Sequence, residues 1–424
     1  MNEASKKGED AAMNAAGVEV SPARSAELAA LLDHPRFKVA LATLDDEHER
    51  TVEDIVTLTE IPSPPFQEEA RGRVYLEMMQ EHGLEEVECD SVGNVLGLRR
   101  GTGNGSIVVV SAHMDTVFPA GTDVRVRREG TKLFAPGVGD DTRSLAVLLA
   151  FIRAMDAAGI ETRNDLLFVG SVGEEGKGDL RGMRHLFNEG RHRDRFAAFF
   201  SVDSPGMEKL VVGGVGSKRY RVVFHGPGGH SFQAFGLVNP AYAMADAASA
   251  LAAVEVPELP RTTFCVSVLG GGTSINAIPN EIWMEVDLRS QSPVELARLD
   301  ALFHEILRAA VERENAARSI QEGSVTVAAE LVGDRPAGQT PADSEIVQLA
   351  TASLAAHGFR AAHIFSSTDA NIAMSVGVPA VKMGSGGSGG RNHSLEEWID
   401  VEKTESLRGM AASFAAILTV AGMC

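Results

Sequence analysis

The apolar run 107–112 closes on His113-Met114-Asp115, and four further segments of ligand-type residues follow the same plan. Asp140 stands in Pro-Gly-Val-Gly-Asp-Asp, Glu174 and Glu175 in Gly-Glu-Glu-Gly, Asp203 in Ser-Val-Asp-Ser, and His393 in Asn-His-Ser-Leu-Glu-Glu. Four of the five segments follow β-branched or aromatic runs: 107–110, 166–169, 199–202 and, more loosely, 379–383. Polar residues placed only where apolar runs stop are what an α/β sheet presents along one edge, at the carboxyl ends of its strands. The expected fold is therefore α/β, with a mixed central sheet flanked by helices.

Each segment can be weighed as chemistry. His113 can ligate a metal while Asp115 orients its imidazole. Asp140 can bridge two cations through its two oxygens. Glu175 and Asp203 can each bind one metal, beside His113 or His393, with Glu174 placed as a base. Three ligating carboxylates and a hydroxide offset two divalent cations, which leaves a nearly neutral site where water ionises readily. Singly, these signals are weak: a strand-end histidine is usually just hydrogen-bonded, and adjacent glutamates usually face solvent. Five in order, each at an apolar-to-Gly or apolar-to-Ser boundary, outweigh coincidence.

Helical spacing covers 45–59 and 65–82, the second opened by a Pro-Pro pair. Short strands follow at 86–89 and 94–98, then the central strand 107–112. A Leu/Ala-rich helix at 144–157 comes directly after Asp140. Next are strand 165–172, a short helix at 182–188 and strand 197–202. A glycine-rich break at 213–216 precedes strand 219–224, helix 240–254, strands 263–269 and 281–288, helix 294–316 and strand 324–331. That β-α-β-β-α-β order is the ferredoxin-like split. It reads as a lid domain at 217–331 inserted into a catalytic domain formed by 25–214 and 335–424. Helices 344–357 and 401–421 close the chain.

The ordered set resembles the M20 family of co-catalytic metallopeptidases from about Leu44 onward. Ile61-Pro62-Ser63 resembles the family's early loop, and Asp90-x-x-Gly93-Asn94 its first hairpin. Gly228-Gly229-His230-Ser231 is similar to the histidine turn of the lid. The segment from Gly271-Gly272-Thr273 through Asn276-x-Ile278-Pro279 to Asp287-Leu288-Arg289 resembles the family's substrate-carboxylate segment. The resemblance implies His113 and His393 as terminal ligands of two divalent ions (Zn, Mn or Co). It implies Asp140 as the bridge, with Asp203 beside His113 and Glu175 beside His393. Glu174 would be the general base. His230 would reach the partner subunit's site in a homodimer formed through the lid, while Arg289 and Asn276 would hold a polar end of the substrate.

Two departures stand out. Many relatives read Asp-Asp-Lys-x-Gly where this chain has Asp140-Asp141-Thr142-Arg143-Ser144, which keeps a cation one place later. Phe365-Ser366-Ser367-Thr368-Asp369 carries serines where relatives often have Gly-Gly, next to the substrate residue Thr368. The run 384–390 contains GxGxxG and GxSxG patterns outside their required contexts. It reads either as close backbone approach to substrate, through Gly390 beside His393, or as a flexible spacer.

With 424 residues, 44% hydrophobic and 23% charged, the chain is ordinary for a two-domain soluble enzyme. A net charge of −19 makes nucleic acid and anionic membranes poor partners. Residues 1–24 are polar with no apolar segment and read as a disordered tail, not a signal peptide. Cys89, Cys265 and Cys424 match no metal spacing and read as buried or incidental thiols, consistent with a cytoplasmic protein.

Three functional readings follow. One is hydrolysis of a C–N bond in a small peptide or N-acyl amino acid, by a metal-bridged water with Glu174 as base. Another is release of ammonia from a non-peptide C–N bond, such as an amine on an aromatic acid, at the same metals. The third is a non-catalytic binding relative, against which retention of Glu174 and all five ligands argues.

Overall fold

A computed structural model describes residues 20–103 and 105–424. The chain divides into two compact units, Met1–Gly214 with Gln339–Cys424, and Val215–Gly338.

The first unit is built on a mixed sheet. Its centre holds four adjacent parallel strands in the order Asp165–Ser171, Ile107–His113, Phe196–Val202 and Ala380–Met383. Val95–Arg99 and Glu85–Cys89 extend one side antiparallel. Lys209–Gly214 adds to the other side, with Ala362–Ser366 parallel to it. Every residue of Ile107–His113 and Asp165–Ser171 is buried, as expected for strands covered on both faces.

Alternation decides which core each side chain joins. Val108, Val110 and Ala112 enter the larger core beneath helices Arg143–Ala158 and Lys403–Ala421, where Phe151 stacks on Phe414 at 4.6 Å. Ile107 and Val109 turn the other way, against Leu186, Phe187 and Ile372. The strand register aligns the carboxyl ends: His113 sits opposite Ser171, and Met383 opposite Val202.

Some local expectations shift. The helix expected at 45–59 is the end of Pro35–Asp46 and all of His48–Thr59, broken at Glu47. Pro64 and Pro65 lie in a turn ahead of helix Glu69–Gln80, because a residue before proline is pushed out of the helical region. Helix Pro22–Asp33, capped by Ser21, begins inside the stretch expected to be a tail. Residues 1–19 of that expectation lie outside the described residues. All three cysteines are exposed and free, so the buried alternative for them falls. Among the described residues no helix is long and apolar enough to cross a membrane.

A small sheet went unread in the sequence: Ser388–Gly390, Trp398–Asp400, Lys132–Phe134 and Arg127–Glu129, paired in that order. It anchors the chain on both sides of His393. The glycine run is therefore neither a nucleotide loop nor a loose spacer. A Cβ at Gly384 would stand 2.2 Å from the Gly206 carbonyl oxygen, and one at Gly386 2.6 Å from that of Ser406.

The second unit has strands Gly216–His225, Thr262–Gly271, Glu281–Ser290 and Thr326–Arg335, with helices Pro240–Ala252 and Pro293–Ala317. In chain order the strands lie fourth-first-third-second across an antiparallel sheet, a ferredoxin-like arrangement. Both helices pack on one face over Tyr220, Val222, Phe224, Met284 and Val286.

A buried ion pair locks the helix that follows Asp140. Arg153 donates from Nε to Glu47 at 2.7 Å and from Nη1 to Asp54 at 2.8 Å. Replacing Arg153 with Met strands the Asp54 carboxylate, which is only 8% exposed. We expect a loss of about 3–5 kcal/mol in urea unfolding, largely recovered when Asp54 is also made apolar.

Candidate metal centre

Three of the four central strands deliver polar ends to one place. His113 ends its strand, Asp203 follows Val202, and the two glutamates follow Ser171 by three and four residues. Asp140 arrives on the turn before helix Arg143–Ala158, and His393 on the loop between two strands of the small sheet.

The contacts are short. His113 Nε2 lies 2.9 Å from Asp140 Oδ1. His393 Nε2 lies 2.8 Å from Glu175 Oε1 and 3.3 Å from Asp140 Oδ2. Asp140 thus faces both imidazoles, one through each oxygen. Ligand atoms of His113, Asp140 and Glu175 fall within 4.8 Å of one another, as do those of His113, Asp141 and Asp203. His393 adopts a left-handed backbone, φ +62°, an uncommon conformation for a residue other than glycine.

Electrostatics fit a cation site. Burial opposes a charged His113, yet the hydrogen bond to Asp140 and the charges of Asp141, Asp140 and Asp115 hold its pKa well above the ordinary value. His393 is raised to about 10, first by Asp140 and then by Glu175. Asp140 is held far below the usual carboxylate range by hydrogen bonds to both imidazoles, against its own burial. The field at this spot therefore strongly favours positive charge. Imidazole and carboxylate donors without thiolates suit Zn, Mn or Co.

Asp115 behaves differently from the orienting role expected of it. Its carboxylate accepts the backbone N–H groups of Glu174 at 3.0 Å and Glu175 at 2.8 Å. His113 Nδ1 meets the Asp115 carbonyl oxygen at 3.0 Å, while the Asp115 carboxylate stands at 3.7 Å. Asp115 thus fixes the glutamate pair with its side chain and the imidazole with its backbone.

Several site-building residues escaped the sequence reading. Asp141, fully buried, accepts the backbone N–H of His113 and of Ser204, joining the ends of two strands. Its oxygens are thereby committed to structure, although it lies close enough to count as a possible ligand. Asn392 donates to Asp140 Oδ2 at 3.2 Å. Asn94, from the hairpin quoted above, accepts the N–H of Val172 just before the glutamates. Arg71, 0% exposed, donates to the carbonyl oxygens of Met114 and Ile61. Glu397 is the most informative of them. It is completely buried and accepts N–H bonds from Gly137 at 3.0 Å, Gly139 at 2.8 Å and Asp140 at 2.9 Å. Burial and the Asp140 charge push its pKa up to about 7, against those three bonds. The second acid of Leu395-Glu396-Glu397 thus ties the His393 loop to the turn that presents Asp140.

The remaining expected residues are placed as follows. Thr368 is buried and its hydroxyl accepts the Ala370 N–H at the start of helix Ala370–Ser375. Gly390 lies on the small sheet, opposite Trp398. In the second unit, His230 and Asn276 come together on the two-residue ladder Gly229–His230 with Ala277–Ile278, where Ser231 N–H donates to the Asn276 carbonyl oxygen. Both are exposed. Arg289 is not with them: it lies at the far end of strand Glu281–Ser290, where its Nε donates to Asp287 at 2.6 Å.

Residues 109–419 match the model of peptidase family M20/M25/M40. The chain belongs to that family, and its class is that of the metallohydrolases. A succinyl-diaminopimelate desuccinylase of Corynebacterium glutamicum is 27% identical over 243 residues, 55% of this chain and 64% of that protein. The match thus spans somewhat under two thirds of that relative. In three dimensions the chain resembles an aminopeptidase PepT of Bacillus cereus, with a TM-score of 0.71 at 21% identity over 88% of this chain and 98% of the other. It also resembles a Bacillus subtilis protein described as a dinuclear metal binding peptidase from the M20 family, with a TM-score of 0.61 at 18% identity over 88% and 98%.

Glu397 yields a prediction. Glu397→Ala leaves three buried N–H groups unpaired beside Asp140. Affinity for Zn or Mn, measured by competition with a chromophoric chelator, should fall on the order of 10- to 100-fold. Glu397→Gln, which can accept with only one atom, should fall in between.

Proposed function

We propose that this chain hydrolyses the C–N bond of a small peptide or N-acyl amino acid with the help of two divalent cations. The observation that carries this reading is the position of Asp140, one carboxylate oxygen toward each of two imidazoles. His113 and Asp203 would hold one cation, His393 and Glu175 the other, with Asp140 shared. Bound there, the cations would supply Lewis acidity toward a carbonyl oxygen and a lowered pKa for water.

Glu174, 7% exposed, holds the proton of the attacking water on its carboxylate and returns it to the departing nitrogen. Asp115 keeps that carboxylate in place by gripping the backbone of the glutamate pair. His230, contributed by the partner subunit of a homodimer, stabilises the developing oxyanion. Asn276 binds a polar or carboxylate end of the substrate, and Thr368 and Gly390 border the substrate space; Arg289, apart from Asn276 and engaged with Asp287, is left out of that grip. Support for an amide substrate comes from the family and from the names of the relatives, a desuccinylase and an aminopeptidase.

Turnover of a panel of dipeptides, tripeptides, N-acyl amino acids and aryl amines tests the reading. Activity on the amides, lost on chelation and restored by Zn, Mn or Co, is the expected result. Activity confined to the aryl amines would replace this substrate class with deamination. Glu174→Gln should lower kcat on the order of 10²- to 10⁴-fold while metal content stays unchanged. Full turnover by that variant would remove Glu174 from the role of base.

A further inference from the structure

Helix Arg143–Ala158 opens with a cation that no side chain among the described residues pairs. Arg143 keeps only 2% of its surface, and its Nε donates to no protein atom among the described residues. Burial pulls its pKa down to about 10, with the Asp400 charge acting in the other direction, so the guanidinium is charged at neutral pH. Asp400 acts through space; its Oδ1 already accepts the Glu402 N–H at 3.0 Å. An ion buried without a direct partner is among the costliest groups a fold can hold. Such a group calls for a counter-ion or ordered water.

A second orphan lies beside it. The Ser406 hydroxyl, 1% exposed, also has no hydrogen-bond partner among the described residues. The two meet at Gly387, whose φ is +71°. A Cβ there would stand 3.1 Å from Arg143 Nη2, 3.2 Å from Ser406 Oγ and 2.8 Å from the Asp400 carbonyl oxygen. Glycine thus lets the guanidinium and the hydroxyl both close on this point of the run, where a methyl group would crowd each of them. The long helix that Arg143 begins adds the positive end of its dipole. Helix Lys403–Ala421 adds less, because Glu402 already takes its Thr404 and Glu405 amides.

We propose that Arg143 and Ser406, meeting at Gly387, form an internal site for a monatomic anion of the chloride type. With Arg143 at 2% and Ser406 at 1% exposure, a small monatomic occupant fits better than a phosphate or a carboxylate ligand. The guanidinium reaches the glycine run at Gly387, whereas the ligand-type side chains of the candidate metal centre meet around His113 and Asp140. The anion neutralises the first residue of the helix to which the Asp140 turn is joined. The proposal is independent of which bond the enzyme opens.

Bromide in place of chloride supplies the test. Crystals of the full chain grown in bromide should show an anomalous peak within hydrogen-bond distance of Arg143 and Ser406. Thermal unfolding of the metal-loaded protein should occur several degrees higher in chloride than in gluconate at equal ionic strength. Arg143→Met should abolish both effects. Ser406→Ala, a milder change, should lower bromide occupancy and shrink the chloride shift, and it serves if the Met variant does not fold. Water density alone at the spot, with identical unfolding in both salts, would overturn the proposal.

Discussion

Carboxylates gathered at the end of one buried sheet repel each other, and much of the surrounding structure serves to hold them there. Two unit charges 4 Å apart interact by about 4 kcal/mol at an effective dielectric constant of 20. Asp140, Glu175 and Asp203 stand forward, with Asp115, Asp141, Asp369 and Glu397 behind them. The rear acids are almost entirely spoken for. Asp115 and Asp141 each take two backbone amides, Glu397 takes three, and Asp369 takes the Ser171 hydroxyl at 2.6 Å. Amide dipoles offset the rear charges without a cation. Asp140 and Glu175 have imidazoles instead, Asp203 has the Ser204 hydroxyl at 2.8 Å and Lys382 at 3.8 Å, and both imidazoles are pushed toward the protonated form. The unmet demand for positive charge is thus confined to the place where metal ligands converge.

This division of labour also bears on how each loop is held. Four parallel strands fix His113, Asp203 and the start of the glutamate segment by register alone, with Asp203 N–H donating to Met383 and Met114 N–H to Ser171. The Asp140 turn and the His393 loop have no such support. The small sheet supplies it, since Trp398 pairs with both Gly390 and Phe134, and Glu397 extends the link to the Asp140 amide. Gly173, at φ +67°, lets Arg181 close over the glutamate turn: a Cβ there would lie 2.3 Å from Nη1. Arg181 is held in turn by the buried Glu68 at 2.8 Å.

What the sequence made legible follows from the length scale of each signal. Continuous apolar runs ending in a polar residue mark buried parallel strands, so the central sheet and the convergence of its ends could be read directly. The β-α-β-β-α-β unit was equally plain, because its two long helices repeat an apolar stripe over several turns. The small sheet was not, since three-residue strands such as Lys132–Phe134 and Trp398–Asp400 carry too few residues for periodicity to register. Helices Pro22–Asp33 and Pro35–Asp46 had a usable signal in Ser21-Pro22 and His34-Pro35, where each cap side chain accepts an N–H from the first turn. Glu397 and Asp141 could not be assigned in advance. Their role is to accept amides from segments far off in the chain, and nothing local reveals that.

The doubled acids of this chain sharpen that last point. Asp140-Asp141, Glu174-Glu175 and Glu396-Glu397 each look like one repeated letter, yet the members of the first and last pair do opposite work. Asp140 turns its oxygens to imidazoles while Asp141 turns inward to amides. Glu396 is exposed and pairs with Arg391, whereas Glu397 is wholly buried. In an extended or irregular segment, consecutive side chains point to opposite sides. A pair of like acids at a strand end or tight turn can therefore supply one group for chemistry and one that fastens the turn carrying it. The glutamate pair departs from this pattern because, in the reaction proposed above, both its members would be needed at the front, one as ligand and one as base. Its fastening acid comes from elsewhere, as Asp115. That is why the HxD segment and the Glu-Glu segment, nearly sixty residues apart in the chain, work as a single structural piece.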